Sequence, residues 1–250
     1  MTGSPLRTVY FHGLPGSAAE LAGFGPEIAG RTAGFHVAAR GGDFPRLAAG
    51  LAARLPEGAL RLVGFSLGAQ AALRVAPLLG ERVTRIDLVS PAAPLQLGVF
   101  LKGMAGAPVF RAALAGRRAF AALTLVQAQV ARHAPERMAA ALMAKARGED
   151  RALAADPRFI AALAQSLRHS LLDSREAYMA EIRAYVADWR PDLARVQQPV
   201  SIWQGSEDDW TPPAMAEALA AALPHRPQVT VLPGLSHFST LRHYLEAEAA

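Results

Sequence analysis

The chain has no cysteine. That excludes disulfides and thiolate chemistry and fits a reducing compartment, so a cytoplasmic location is expected. Its N-terminus, "MTGSPLRTVYFHG", lacks a basic segment followed by an apolar stretch, so no secretory signal is expected. Nowhere do about 18 apolar residues run uninterrupted, so no membrane span is expected either. Aromatics are scarce at 7%, and no basic cluster is interleaved with them as a nucleic-acid surface would favour. The net charge of +5 does not change that reading, because of where it lies. Residues 92–190 hold 14 of the 26 Lys and Arg against 8 of the 21 Asp and Glu, a local excess of +6. These cations are spread singly through alanine-rich stretches, the pattern of solvated helix faces. The same excess would also draw an anionic substrate or an anionic membrane surface.

What is there is apolar: 52% of 250 residues, enough for one large domain or a domain with an insertion. Residues 1–91 alternate short β-rich runs with helical stretches. "RTVYFHG", "GFHVAARGG", "LRLVGF" and "VTRIDLVSP" read as strands, "FPRLAAGLAARL" and "GAQAALRVAPLLG" as helices. Residues 191–250 return to that alternation, with "PVSIWQG" and "QVTVLPG" as strands and "TPPAMAEALAAAL" and "HFSTLRHYLEAEAA" as helices. Such spacing implies a mostly parallel, doubly wound sheet. Between them, 92–190 holds no convincing strand. It reads as helices broken at "GAP", "HAPE", "RGED" and "DPRF". The expected architecture is an α/β core made of 1–91 and 191–250, interrupted by an all-helical insertion over 92–190.

Four features fall at strand ends. Ser66, in "GFSLG", follows a buried strand and precedes a helix, the setting of a nucleophile elbow. Gly64 and Gly68 leave room there for the crossing strand and helix. Serine is also a favoured N-cap, so Ser66 is expected both to open its helix and to attack from the end of it. A serine hydroxyl needs a base. Of seven histidines, His237 directly follows the last strand; His243 lies mid-helix, and His133 and His169 lie in the helical stretch. "SEDDWTPP" after the preceding strand offers Asp208 or Asp209, with Glu207 less suited, to orient that base. "HGLPG" at 12–16 ends the first strand with two glycines, so that the N–H groups of Leu14 and Leu67 are the expected oxyanion donors. His12 reads as a support for that loop rather than a second base.

Together "HGLPG", "GFSLG", the G-x-x-D-x-x-x-P spacing of Gly205, Asp208 and Pro212, and "GLSHF" resemble the α/β-hydrolase superfamily, in its chain order of serine, acid and histidine. The resemblance spans almost the whole chain and implies a Ser66–Asp208–His237 triad, favouring Asp208 over Asp209. It places a lid over 92–190. It departs from the family in starting at the strand before the oxyanion loop, so the usual leading strands are expected to be missing or nearly so. A serine at 66 argues against the superfamily's dehalogenases and epoxide hydrolases, which look for an aspartate there. No metal cluster or dinucleotide loop is visible, so no metal and no cofactor are expected.

The expected chemistry is cleavage of a carboxylic ester or thioester through an acyl-enzyme. The apolar stretch 107–130 either packs on the body or lines a pocket for an apolar acyl group. A lyase or carbon–carbon hydrolase of the same fold, acting on an anionic metabolite held by lid arginines, is the alternative. A non-catalytic binding protein of this fold ranks below both.

Overall fold

The short apolar runs become the strands of one sheet. The computed structural model describes residues 6–248. The last two residues of the helix expected over 237–250 lie outside the described residues. The strands are β1 (Arg7–Phe11), β2 (His36–Val37), β3 (Leu60–Phe65), β4 (Val83–Val89), β5 (Val200–Gly205) and β6 (Val229–Leu232). Their order is β2-β1-β3-β4-β5-β6, every pair parallel. β2 is far shorter than the run "GFHVAARGG" suggested. After the Ala38 N–H bonds Tyr10 O, the chain leaves the sheet edge, and Arg40 turns inward to Glu181 at 2.8 Å.

The register decides where function can lie. Phe11 pairs with Gly64, Gly64 with Leu88, Val89 with Trp203 and Gly205 with Leu232. The carboxyl ends of five strands therefore meet along one edge. The residues that follow those strands, at 12, 66, 90, 206 and 233 onward, emerge there together.

Helices cover both faces, because side chains alternate along a strand. On Gly64 sits Ala69 of α4 (Gly68–Leu79); a Cβ at Gly64 would lie 2.8 Å from the Ala69 Cα. On Phe65, which points the other way, sits Phe238 of the last helix, their rings 5.6 Å apart. α1 (Ala19–Ala22), α2 (Pro26–Arg31) and α3 (Phe44–Arg54) precede α4, and α3 packs beside it. α1 and α2, of four and six residues, escape the sequence reading. Gly68 is the tightest point, since a Cβ there would overlap the carbonyl oxygen of Phe11.

Between β4 and β5 run α5 (Ala107–Ala115), α6 (Arg117–His133), α7 (Pro135–Met143), α8 (Asp150–Ala154), α9 (Pro157–Arg168), α10 (Arg175–Val186) and α11 (Arg190–Leu193). A π turn, His169–Asp173, joins α9 to α10. The apolar stretch 107–130 is not one helix. Gly116, at φ 122°, breaks it into α5 and α6. α12 (Pro213–Ala222) and α13 (His237–Glu248) are the last two helices of the described residues. α13 is tied to the sheet below by Tyr244, whose hydroxyl donates to the buried Asp87 at 3.0 Å. Arg61 and Arg85 bind that carboxylate at 2.5 and 2.7 Å, so its charge is compensated.

Gly68→Ala is expected to cost about 3 kcal/mol, because the methyl group meets backbone rather than a side chain that can move aside. Urea unfolding of the two proteins checks this; an unchanged midpoint contradicts it.

Candidate active site

Ser66 sits in the turn from β3 to α4 at φ 54°, a left-handed conformation rare for a serine. Three backbone hydrogen bonds hold it there. Ser66 N–H donates to Val89 O at 3.0 Å, and Ser66 O accepts Ala69 N–H at 3.1 Å and Ala92 N–H at 3.0 Å. The helix cap falls on Leu67, with no side-chain cap bond, so the Ser66 hydroxyl does not cap α4. That corrects the dual role expected from the sequence. A hydroxyl used as a cap would be turned down onto the helix.

His237 and Asp208 are brought together. The imidazole Nδ1 lies 2.9 Å from Asp208 Oδ2, and both residues are buried. A carboxylate can only accept, so Nδ1 is the donor, and in the neutral ring Nε2 keeps its lone pair. Asp208 is itself enclosed by donors. The N–H groups of Trp210 and Thr211 both reach Oδ1 at 2.9 Å, and Gln204 Nε2 reaches Oδ2 at 3.3 Å. Thr211 Oγ1 lies 3.0 Å from Oδ2 and 2.9 Å from Ser90 O. The imidazole is flanked by Phe65, ring centres 4.7 Å apart, and by Trp210, stacked at 5.8 Å. Asp209 is not at the imidazole; it pairs with Arg147 at 3.1 Å. Glu207, His243, His133 and His169 are all exposed.

The "HGLPG" turn comes against Ser66: a Cβ at Gly13 would lie 3.4 Å from the Ser66 Cβ. His12 holds its own loop through Nδ1 to Gly13 O at 2.6 Å. Burial, then the Arg40 charge, lowers its pKa to about 3, so it stays neutral. Among the described residues the N–H groups of Leu14 and Leu67 have no acceptor in the protein. Both residues line a cavity of about 170 Å³ together with Ser66 and Thr211. Its remaining wall is nearly all apolar, including Pro108, Val109 and Phe110 from α5 and Trp210. No Lys, Arg, His, Asp or Glu lines it. From the expected apolar stretch only α5 and Gln127 contribute, while Leu125, Val126 and Val130 of α6 face solvent. Among the described residues no three His, Asp or Glu side chains cluster as a metal site, and no helix is long and apolar enough to cross a membrane.

Several contributors were invisible to motif reading. Ser170, from the π turn, accepts Gly16 N–H and donates to Gly16 O, both at 2.9 Å. Glu20 is buried beneath the same loop, accepting the Tyr10 hydroxyl at 2.5 Å and Gly13 N–H at 3.3 Å. The only sequence signal for either is a polar residue in an apolar neighbourhood.

Residues 7–250 match the model of the alpha/beta hydrolase family. The chain belongs to that family. It is a hydrolase, and its sheet and flanking helices are the family's fold. Solved structures agree. An enol-lactonase from Burkholderia xenovorans superposes with a TM-score of 0.64 at 19% identity, covering 99% of this chain and 89% of the other. A thermophilic esterase from Thermogutta terrifontis gives 0.64 at 20%, covering 98% and 89%. A bromoperoxidase from Bacillus anthracis gives 0.64 at 16%, again covering 98% and 89%. At these identities the likeness is one of fold. No curated protein sequence matches the chain.

Burial raises the pKa of Glu20 from 4.5 to about 7, against the lowering effect of its hydrogen bonds. A carboxyl whose pKa is higher in the folded state favours folding while neutral. That contribution is complete below about pH 4.5 and is lost as pH climbs to about 7. Glu20→Gln, which cannot ionise, is therefore expected to gain up to about 3 kcal/mol relative to the parent between pH 4.5 and 8. Urea unfolding at both pH values measures the gap; a pH-independent difference contradicts it.

Proposed function

We propose that the protein is a serine hydrolase that cleaves a carboxylic ester or thioester with a small apolar acyl part. The single observation that carries the reading is the His237–Asp208 hydrogen bond of 2.9 Å at the same sheet edge as the strained Ser66 turn. Ser66 Oγ attacks the acyl carbon while His237 Nε2 takes its proton. Asp208 holds the imidazole and stabilises the imidazolium. The negative oxygen that forms is held by Leu14 and Leu67 N–H, at the positive end of α4. His237 then protonates the departing alcohol or thiol, leaving the acyl group on Ser66. Water attacks that ester with His237 again as base, and the acid leaves.

In this reading the helices over 92–190 form a lid, and α5 supplies part of the acyl pocket. The uncharged wall is what favours this chemistry over an anionic substrate held by lid arginines, since no arginine lines the cavity. Its volume is close to that of the ~150 Å³ apolar cavity that holds benzene. Acyl groups near that size, hexanoyl or benzoyl, are expected to be turned over best. A cysteine-free chain needs no oxidising compartment, and a cytoplasmic location goes with this reading.

A fluorophosphonate is expected to label the protein and not Ser66→Ala, and an ester panel graded by chain length is expected to fall off beyond about eight carbons. Absence of both labelling and turnover sinks the reading; a preference for anionic substrates moves it to the carbon–carbon branch. Asp208→Asn is expected to lower kcat by about 10³–10⁴-fold. Asp209→Asn, whose parent pairs with Arg147 instead, is expected to change it little. The reverse result in steady-state kinetics shifts the acid by one residue.

A further inference from the structure

Helix α13 begins at His237, so the imidazole is placed by whatever holds that helix's first turn. The first N–H groups of a helix have no partner within it, and a nearby Ser or Asp oxygen usually accepts them. Ser236 stands in the right place to do so but does not. Its hydroxyl donates to Glu207 O at 3.2 Å, and its N–H donates to Ser239 Oγ at 2.8 Å. The N–H groups of Phe238 and Ser239 run instead to Asp150, in the distant lid. Phe238 N–H reaches Oδ2 at 3.1 Å and Ser239 N–H reaches Oδ1 at 2.6 Å.

We propose that Asp150 is a positioning residue for His237, a helix cap supplied by the lid that fixes where the base stands relative to Ser66. The proposal rests on the Ser66–His237–Asp208 reading above. Its geometry is that of a built contact. Asp150 is 1% exposed, and both its oxygens are taken by the turn that carries His237. The rest of the "RGED" turn is seated on the same loops. Glu149 N–H donates to Gly234 O at 3.0 Å. Gly148, at φ 48°, lies so close that a Cβ would overlap Gly234 O. Arg147 pairs with Asp209, next to the acid. A carboxylate at this end of α13 also faces the positive pole of the helix. One turn of the lid thus touches the loop of the acid and the loop of the base.

The rate of fluorophosphonate labelling tests this without knowledge of the natural substrate, because the reaction needs Ser66 activated by His237. The rate constant is read at saturating probe and on the labelled fraction alone, so that partial unfolding lowers the amplitude and leaves the rate unaffected. Asp150→Ala is expected to slow the saturated rate by about 10- to 100-fold, the scale of a small misplacement of a reacting group. Its half-saturating probe concentration is expected to stay within about twofold. Asp150→Asn keeps one acceptor oxygen and is expected to fall between Asp150→Ala and the parent. Lys145→Ala, exposed in the same segment, is expected to label at the parent rate. A parent-like saturated rate in Asp150→Ala overturns the proposal, and Asp150→Asn at the parent rate does so if the alanine variant does not fold. A parent protein that is not labelled, or is still labelled after Ser66→Ala, overturns the triad reading and this proposal with it.

Discussion

The close crossing of α4 over the ends of β1 and β3 is the constraint on which the rest depends. Two glycines permit it: Gly64 lies under Ala69, and Gly68 lies against the Phe11 carbonyl. With the helix that near, the connecting residue has only a left-handed conformation open to it, and Ser66 occupies that position. The same crossing brings the "HGLPG" turn to within touching distance of Ser66, because β1 ends directly beneath Gly68. One packing contact thus sets the place of the proposed nucleophile and of the loop that would face its oxyanion.

The loops around this crossing are braced from two directions. From the core side, Glu20 and Tyr10 support the "HGLPG" turn, and Gln204 and Thr211 enclose Asp208. From the 92–190 side, Ser170 grips Gly16 at both its N–H and its carbonyl, and Asp150 grips the start of α13. The buried Arg40–Glu181 pair, 2.8 Å apart, joins the region after β2 to α10 in the same way. Helices that wall a pocket are here also part of the frame that holds the site. A substitution in them therefore disturbs the loops beside Ser66 and His237 as well as the pocket wall.

The sheet was legible in the sequence because its signals are local. Near-continuous apolar runs, glycines at fixed offsets around Ser66 and charged residues just after strand ends need no long-range knowledge. The parallel register then converts order along the chain into proximity at one edge. What stayed hidden depends on distance. Asp150 meets residues 88 and 89 positions away, and Ser170 meets Gly16 at a separation of 154. Nothing in "RGED" or "RHSLLD" marks those partners. Short elements were lost for another reason. α1 and α2 have too few residues to show a period, and β2 is cut short when Arg40 turns inward. The break at Gly116 was missed because a single glycine is tolerated within a helix, and only the folded backbone reveals its positive φ.

The two rings against His237 have one more consequence. Phe65 lies against the imidazole from the sheet side, and Trp210, tilted by only 22°, is stacked on it. A half-turn of the imidazole about its Cβ–Cγ bond would carry Nδ1 away from Asp208, and the ring would have to turn between these two neighbours while breaking that bond. The flip is therefore opposed twice over, by packing and by the hydrogen bond it would break. Nδ1 stays on Asp208, and Nε2 remains the nitrogen open to the proposed chemistry. In the proposed reaction the aromatic slot keeps the direction of the proton path.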